Sequence, residues 1–272
     1  MSRLLTALTP SKDNFWSTDV QTGSSYDDFA TIKEPYNRLH AVVSTLSKGP
    51  VAPSDKIGRS DAALILKSCM MDGRLLQPDK PAMLIDSAHV QKAFNASGAG
   101  PVGEVWATHT TLDNNVFGLV MAAVLLSDYE LSLAKDMGLA NRTGFVHYEA
   151  NATGTVSRSP TLVLKACDKW DFQLHAVAPV LPNGWALLGE PDKWVPVSNV
   201  RFRDLTYDSD GGGGANSASV TVIGVEGEKV SVAWLAPDAT APTVVECAIP
   251  RGSAVVVRVS SARPKGVCLP VL

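Results

Sequence analysis

From about Pro78 onward the sequence reads as one short strand after another, and this rhythm constrains the fold more than any other feature. EVWATHTT (104–111) and VFGLVMAAVLL (116–126) flank Leu112–Asn115, the signature of a hairpin. Further β-like runs cover residues 144–150, 161–167, 172–181, 194–202, 218–224, 229–235, 243–249 and 253–260. Turn residues punctuate them at Pro182-Asn183-Gly184, Gly227-Glu228 and Pro237-Asp238. Many short strands broken by frequent turns imply an antiparallel sandwich or stacked sheets. The run Gly211–Gly214 opens no helix, so it reads as a flexible connection and not as a phosphate-cradling loop.

Upstream of residue 75 the pattern is different. Pro35 stands at a first helical position, and Leu39, Val42, Val43 and Leu46 follow at the three-and-four spacing of an amphipathic helix. Gly49-Pro50 ends that helix over 35–48. A short extended piece, PVAPSD, then runs to Asp55. Ser60 or Asp61 caps a second helix, DAALILKSCMM (61–71), before the turn Asp72-Gly73. Three units are therefore expected: 1–75 with helices, 76–210 as an antiparallel β domain, and 211–272 as a β tail packed on the same sheets.

The charge balance narrows the partners. A net charge of -3 with scattered Lys and Arg gives no concentrated basic surface, so nucleic acid is not an expected partner. The longest apolar run, residues 117–126, is too short to span a bilayer, and MSRLLTALTP is too short and too weakly apolar for a signal peptide. No membrane partner is expected. Cys69, Cys167, Cys247 and Cys268 form no CxxC pair, which argues against zinc. Cys247 and Cys268 can pair if the last strands are neighbours, but free, buried thiols are the favoured reading. Three sequons, at Asn95, Asn141 and Asn151, hint at secretion without fixing the compartment, so localisation stays open.

Two stretches carry a family resemblance: HAVVSTLSKGPVAPSDKIGRSDAALILKSCMMDGRLLQP (40–78) and GEVWATHTTLDNNVFGLVMAAVLL (103–126). The chain resembles glycoside hydrolase families 27 and 36, the group of α-galactosidases, raffinose synthases and seed imbibition proteins. The match is clearest at GPVAPSDKI (49–57), extends over roughly 8–205 and leaves the tail after the glycine run unrecognised. The resemblance implies the end of a (β/α)8 barrel followed by an all-β domain, an α-linked glycoside or oligosaccharide as ligand, and no cofactor. The fold expected is thus mainly β: an antiparallel sandwich preceded by a short α/β remnant of a barrel. A closed barrel takes about 200 residues or more, and only some 75 precede the β region here. Unpaired barrel surface is expected to drive association.

Retaining glycosidases use two carboxyl groups about 5–5.5 Å apart. The family's nucleophile follows Lys-x-Asp and its acid/base follows Arg-x-x-x-Asp. Neither pattern stands before the β domain, so no catalytic residue carries over and the chain alone is expected to be inactive. Asp55, at the end of the last extended piece, either accepts hydrogen bonds from sugar hydroxyls or caps the turn into the next helix. Asp28, adjacent to Asp27 in SSYDDFA, and Asp13 in SKDNFWST either face that site or belong to solvated loops. Trp16 offers a flat apolar platform for a pyranose or packs in the core. Packing is the expected role of Trp106, Trp170, Trp185 and Trp194, and His109, His147 and His175 read as structural with no metal site. The rival class is a non-catalytic carbohydrate-binding or structural β protein, for which fully buried tryptophans would favour bracing alone.

Overall fold

The computed structural model describes residues 12–21, 34–94, 98–139, 143–150, 154, 156–168, 171–208 and 216–271. Near its start, two extended segments run side by side in the same direction. The Phe15 N–H donates to the Ala52 carbonyl at 3.3 Å, and the Ser54 N–H donates to the Phe15 carbonyl at 2.8 Å. Phe15 and Pro53 form a parallel bridge. Parallel neighbours need a crossover of a dozen or more residues, and helix α1 (Asn37–Leu46) lies within it. Its apolar positions turn Ala41, Val42 and Leu46 into the core, as the spacing requires. Lys48 then takes a left-handed φ of 60° ahead of Gly49-Pro50, and the helix stops.

Helix α2 (Ala62–Leu66) begins where Asp61 Oδ1 accepts the Leu64 N–H at 3.1 Å. It is shorter than the sequence suggests. The stretch to Met71 folds back instead: the Met70 N–H donates to the Arg74 carbonyl and the Leu76 N–H to the Ser68 carbonyl. Gly73, at φ 85°, supplies the left-handed residue for that reversal.

The rest of the described chain is mainly β, and its strand pairs are antiparallel. Strands β1 (Met83–Leu84), β2 (Glu104–Leu112), β3 (Asn115–Ala123), β5 (Phe145–Glu149) and β7 (Phe172–Pro179) form one sheet in the order β1-β2-β3-β7-β5. The β2–β3 turn is Asp113-Asn114, with φ of 46° and 66°, the mirror-image two-residue turn that suits the twist of a hairpin. A second sheet has β9 (Phe202–Tyr207), β10 (Ser217–Ile223), β13 (Ala254–Ser260) and β14 (Arg263–Pro270) in the order β14-β13-β10-β9. A third joins β8 (Ala186–Gly189), β11 (Lys229–Leu235) and β12 (Thr243–Ala248), and a small pair joins β4 (Tyr129–Ser132) to β6 (Thr161–Leu164). Strands beyond the glycine run thus pair with β8 and β9, which precede it.

Several elements depart from the sequence reading. Helices α3 (Asp86–Phe94) and α4 (Leu133–Met137) interrupt the strand-rich region. Residues 194–201 form turns, not a strand; only Phe202 of that run enters β9. Trp194, Val195 and Val197 are buried there by side-chain packing, and Pro196 has no N–H to give a ladder. Cys247 and Cys268 are not free thiols: they form a disulfide with a Cα–Cα distance of 5.9 Å, linking β12 to β14 across two sheets. Cys69 and Cys167 remain as thiols.

One large core collects residues of both tail sheets, α1 and the inner face of the five-stranded sheet. Val220, Val257, Val232, Val42 and Tyr148 all belong to it. Trp185, Trp194 and Trp234 lie fully inside, whereas Trp106 is half-buried and Trp170 falls outside the described residues. A second core, with Val105, Val120 and Val177, lies under β4, β6 and α4. Among the described residues no helix is long and apolar enough to cross a membrane.

Candidate functional site

Asp55 sits where the two parallel segments end, half-buried, and its carboxylate is already engaged. It accepts from the Ser17 N–H (2.7 Å), the Ser17 hydroxyl (2.6 Å) and Gln21 Nε2 (3.0 Å). The Ser17 hydroxyl in turn accepts the Asp61 N–H at 2.7 Å, and Gln21 Oε1 accepts the Lys56 N–H at 2.8 Å. A carboxylate has about four acceptor positions, so three donors leave little for a ligand. The arrangement fixes the loop ahead of α2, as the turn-capping alternative requires.

The other sequence candidates are dispersed. Asp13 is exposed, and Trp16 is half-buried on a segment whose neighbour Phe15 is in the core. Phe15 stacks on His40, whose Nε2 lies 2.8 Å from Glu34. Asp27 and Asp28, and the sequon asparagines Asn95, Asn141 and Asn151, lie outside the described residues.

Two cavities adjoin α1. One is an apolar groove of about 540 Å³ between α1 and the five-stranded sheet, lined by Leu39, Val43, Ala82, Trp106 and Met121 with Lys12 and Glu104 at its rim. Glu104 is committed, accepting from Lys92 Nζ at 2.5 Å and Trp106 Nε1 at 3.0 Å.

The other cavity, about 290 Å³, opens at the N-terminus of α1 and carries more chemistry. Tyr36, Asn37 and Arg38 form one wall; Glu149 and Asp171 stand on the other; Leu39, Ala150, Phe172 and Leu174 supply apolar surface. It is joined to the Asp55 cluster, because Asn37 Nδ2 donates to the Ser17 carbonyl at 2.9 Å and to Asp19 Oδ1 at 3.0 Å. The Arg38 guanidinium lies over the Trp194 ring, 5.9 Å from its centroid, and Phe172 meets the same indole edge-on at 6.0 Å. Arg38 and Glu149 are both exposed, and among the described residues neither the guanidinium nor the carboxylate has a hydrogen-bond or ion-pair partner in the protein, so water solvates both. Asp171 Oδ1 accepts the Phe172 N–H at 2.8 Å.

Sequence reasoning passed over Arg38, Glu149 and Asp171 because they come from three distant segments and share no motif. One local signal was present. Arg38 stands in the first turn of a helix with no acidic residue there, where the macrodipole disfavours a cation.

The deepest carboxylates among the described residues are elsewhere. Arg201, buried between Glu190 and Glu228, donates from Nε and Nη2 to Glu190 (2.6 and 3.1 Å) and from Nη1 and Nη2 to Glu228 (3.1 and 2.6 Å). Burial pushes Glu190 above the ordinary carboxylate range despite Arg201. Burial also acts on Glu228, but the Arg201 hydrogen bonds and the Val225 N–H outweigh it and hold Glu228 low. An arginine wedged between the two carboxylates satisfies their acceptors, and this cluster reads as a tie between the β8–β9 connection and the tail. Lys193, also buried, donates to the Leu66 and Cys69 carbonyls, fastening α2 to the same region. Among the described residues no three metal-capable side chains converge.

The chain matches no known protein-family model, and no curated protein is significantly similar to it.

Proposed function

We propose that this chain is the C-terminal portion of a retaining glycosidase of the α-galactosidase and raffinose synthase group, acting on α-linked glycosides. In this reading residues 1–75 hold the last strand–helix units of a (β/α)8 barrel, and the antiparallel sheets that follow are a β-sandwich that braces it. The observation that carries the reading is the parallel pairing of Phe15 with Pro53 across a connection containing α1, followed at once by α2. Strand, helix, parallel strand, helix is the repeating unit of such a barrel. Unpartnered apolar surface on the same unit supports it: Ile57 is 99% exposed, Met71 65%, and Leu66 lies outward on α2. Further barrel units would cover these residues; without them the surface favours self-association.

The second reading, a non-catalytic structural β protein, is favoured by the tryptophans Trp185, Trp194 and Trp234, which are fully buried and so offer no flat aromatic platform to a ligand. On both readings the isolated chain is expected not to hydrolyse glycosides, because the Lys-x-Asp and Arg-x-x-x-Asp patterns of the resembled group do not stand before the β domain. Incubation with p-nitrophenyl α-galactoside tests this: the isolated chain should release no nitrophenol above the buffer rate. Release that scales with protein and vanishes in Asp13→Asn or Asp55→Asn would overturn it.

A further inference from the structure

We propose that the Cys247–Cys268 disulfide is a redox latch: its reduction by a dithiol frees strand β14 while the other sheets stay folded, and so uncovers the edge of β13. The device goes beyond the glycosidase reading and does not depend on it.

Strand β14 is poorly suited to hold itself in place. Its sequence, RPKGVCLP, contains two prolines, a glycine and a lysine, residue types depleted in strands, and Pro264 and Pro270 have no N–H to donate to a ladder. None of its residues is buried, and none belongs to either core, so hydrophobic burial contributes little to its attachment. Two ties remain. One is the antiparallel pairing with β13, which sets Val255 opposite Pro270 and Val257 opposite Cys268 and is irregular between Arg258 and Ser260. The other is the bridge to β12 in the neighbouring sheet. Beside the bridge the two strands approach closely: Gly266 stands at φ 71°, and a Cβ there would collide with the Val245 side chain of β12. A weakly packed strand at a sheet edge opens at low free energy. The covalent link to β12 blocks that opening, and pairing with β13 alone does not.

The edge beneath β14 gives the opening a consequence. Strand β13, AVVVRVS, is rich in β-branched residues and has one charged residue and no proline, a composition that invites pairing with another strand. Strand β14 carries Arg263, Lys265 and its two prolines, residues with which natural edges discourage such pairing. Latched, β14 is the outermost strand of its sheet; released, it leaves β13 in that position.

The two half-cystines differ in access, since Cys247 is buried and Cys268 is exposed. A thiolate of the reductant attacks the Cys268 sulfur, forms a mixed disulfide there and expels the Cys247 thiolate, which takes a proton from water. The reductant's second thiol then attacks the mixed disulfide, closing the oxidised dithiol and releasing Cys268, which is protonated in turn. Two electrons pass from the dithiol to the bridge.

Hydrogen exchange followed by mass spectrometry on the full chain, with and without dithiothreitol, tests the proposal. Alkylation in denaturant after the quench monitors reduction: it should label all four cysteines instead of Cys69 and Cys167 alone. On reduction, amides of β14 and of its β13 partner edge should exchange about tenfold faster or more, while β10 and β11 keep their protection. Cys268→Ser should show the same local pattern without reductant. Protection of β14 that persists with the bridge fully reduced, or in Cys268→Ser, would make the disulfide a staple and overturn the proposal. Loss of protection spread over β10 and β11, or a bridge that dithiothreitol leaves intact in the folded chain, would also overturn it.

Discussion

His175 and His147 share one face of the β5–β7 pair: His147 stands opposite Val177, and Glu149 opposite His175, so the two imidazoles are diagonal neighbours. Their Nε2 atoms are buried without a partner in the second core. Burial pushes His175 down to about 4, with His147 beside it adding to the shift, and burial lowers His147 in the same sense. Above the ordinary histidine value, near 6.5, both rings are neutral whether the chain is folded or not. As the pH falls below it, the unfolded chain takes up protons that the folded chain refuses, and stability declines until the folded value is reached. For His175 that loss is about 3 kcal/mol between pH 6.5 and 4. Urea midpoints measured at pH 7 and pH 4.5 should therefore separate, and His175→Leu should bring them closer together. An unchanged gap in the variant would show that the acid sensitivity lies elsewhere.

At the scale of elements, the Cys247–Cys268 disulfide ties β12 to β14 and so fastens the three-stranded sheet to the four-stranded one. The bridge closes 21 residues, for which chain entropy gives a stabilisation of about 3 kcal/mol. Replacing both cysteines by alanine should lower the urea midpoint accordingly, and a reductant should do the same to the parent chain; a midpoint indifferent to both would contradict this. The strands themselves were largely legible from sequence. In β12, TVVECA, buried and exposed side chains alternate, and that period is visible in one dimension. Residues 194–201 look like a strand for a misleading reason: they are apolar because Trp194 and Val195 are packed in a turn, not because a ladder needs them. The disulfide was undecidable because pairing depends on two sheets meeting, which no local pattern encodes. The cavity residues Arg38, Glu149 and Asp171 were invisible for the same reason, whereas Asp55, placed correctly at the end of an extended segment, proved to be occupied by Ser17 and Gln21.

At the scale of the molecule, the two halves depend on each other. Lys193, from the loop after β8, donates to carbonyls at Leu66 and Cys69, and Glu228 of the tail accepts the Met71 N–H at 3.4 Å. The parallel strand–helix unit therefore rests on the antiparallel sheets, while Ile57, Met71 and Leu66 remain outside. On the proposed reading these are a barrel's last units, braced by a β domain. The most direct test is the mass of the native product in its source, together with the coding sequence upstream of Met1. The expected result is a product well above 28.8 kDa whose added segment carries Lys-x-Asp and Arg-x-x-x-Asp. A native product of 28.8 kDa beginning at Met1 would contradict the glycosidase reading and leave a bracing or binding β protein in its place.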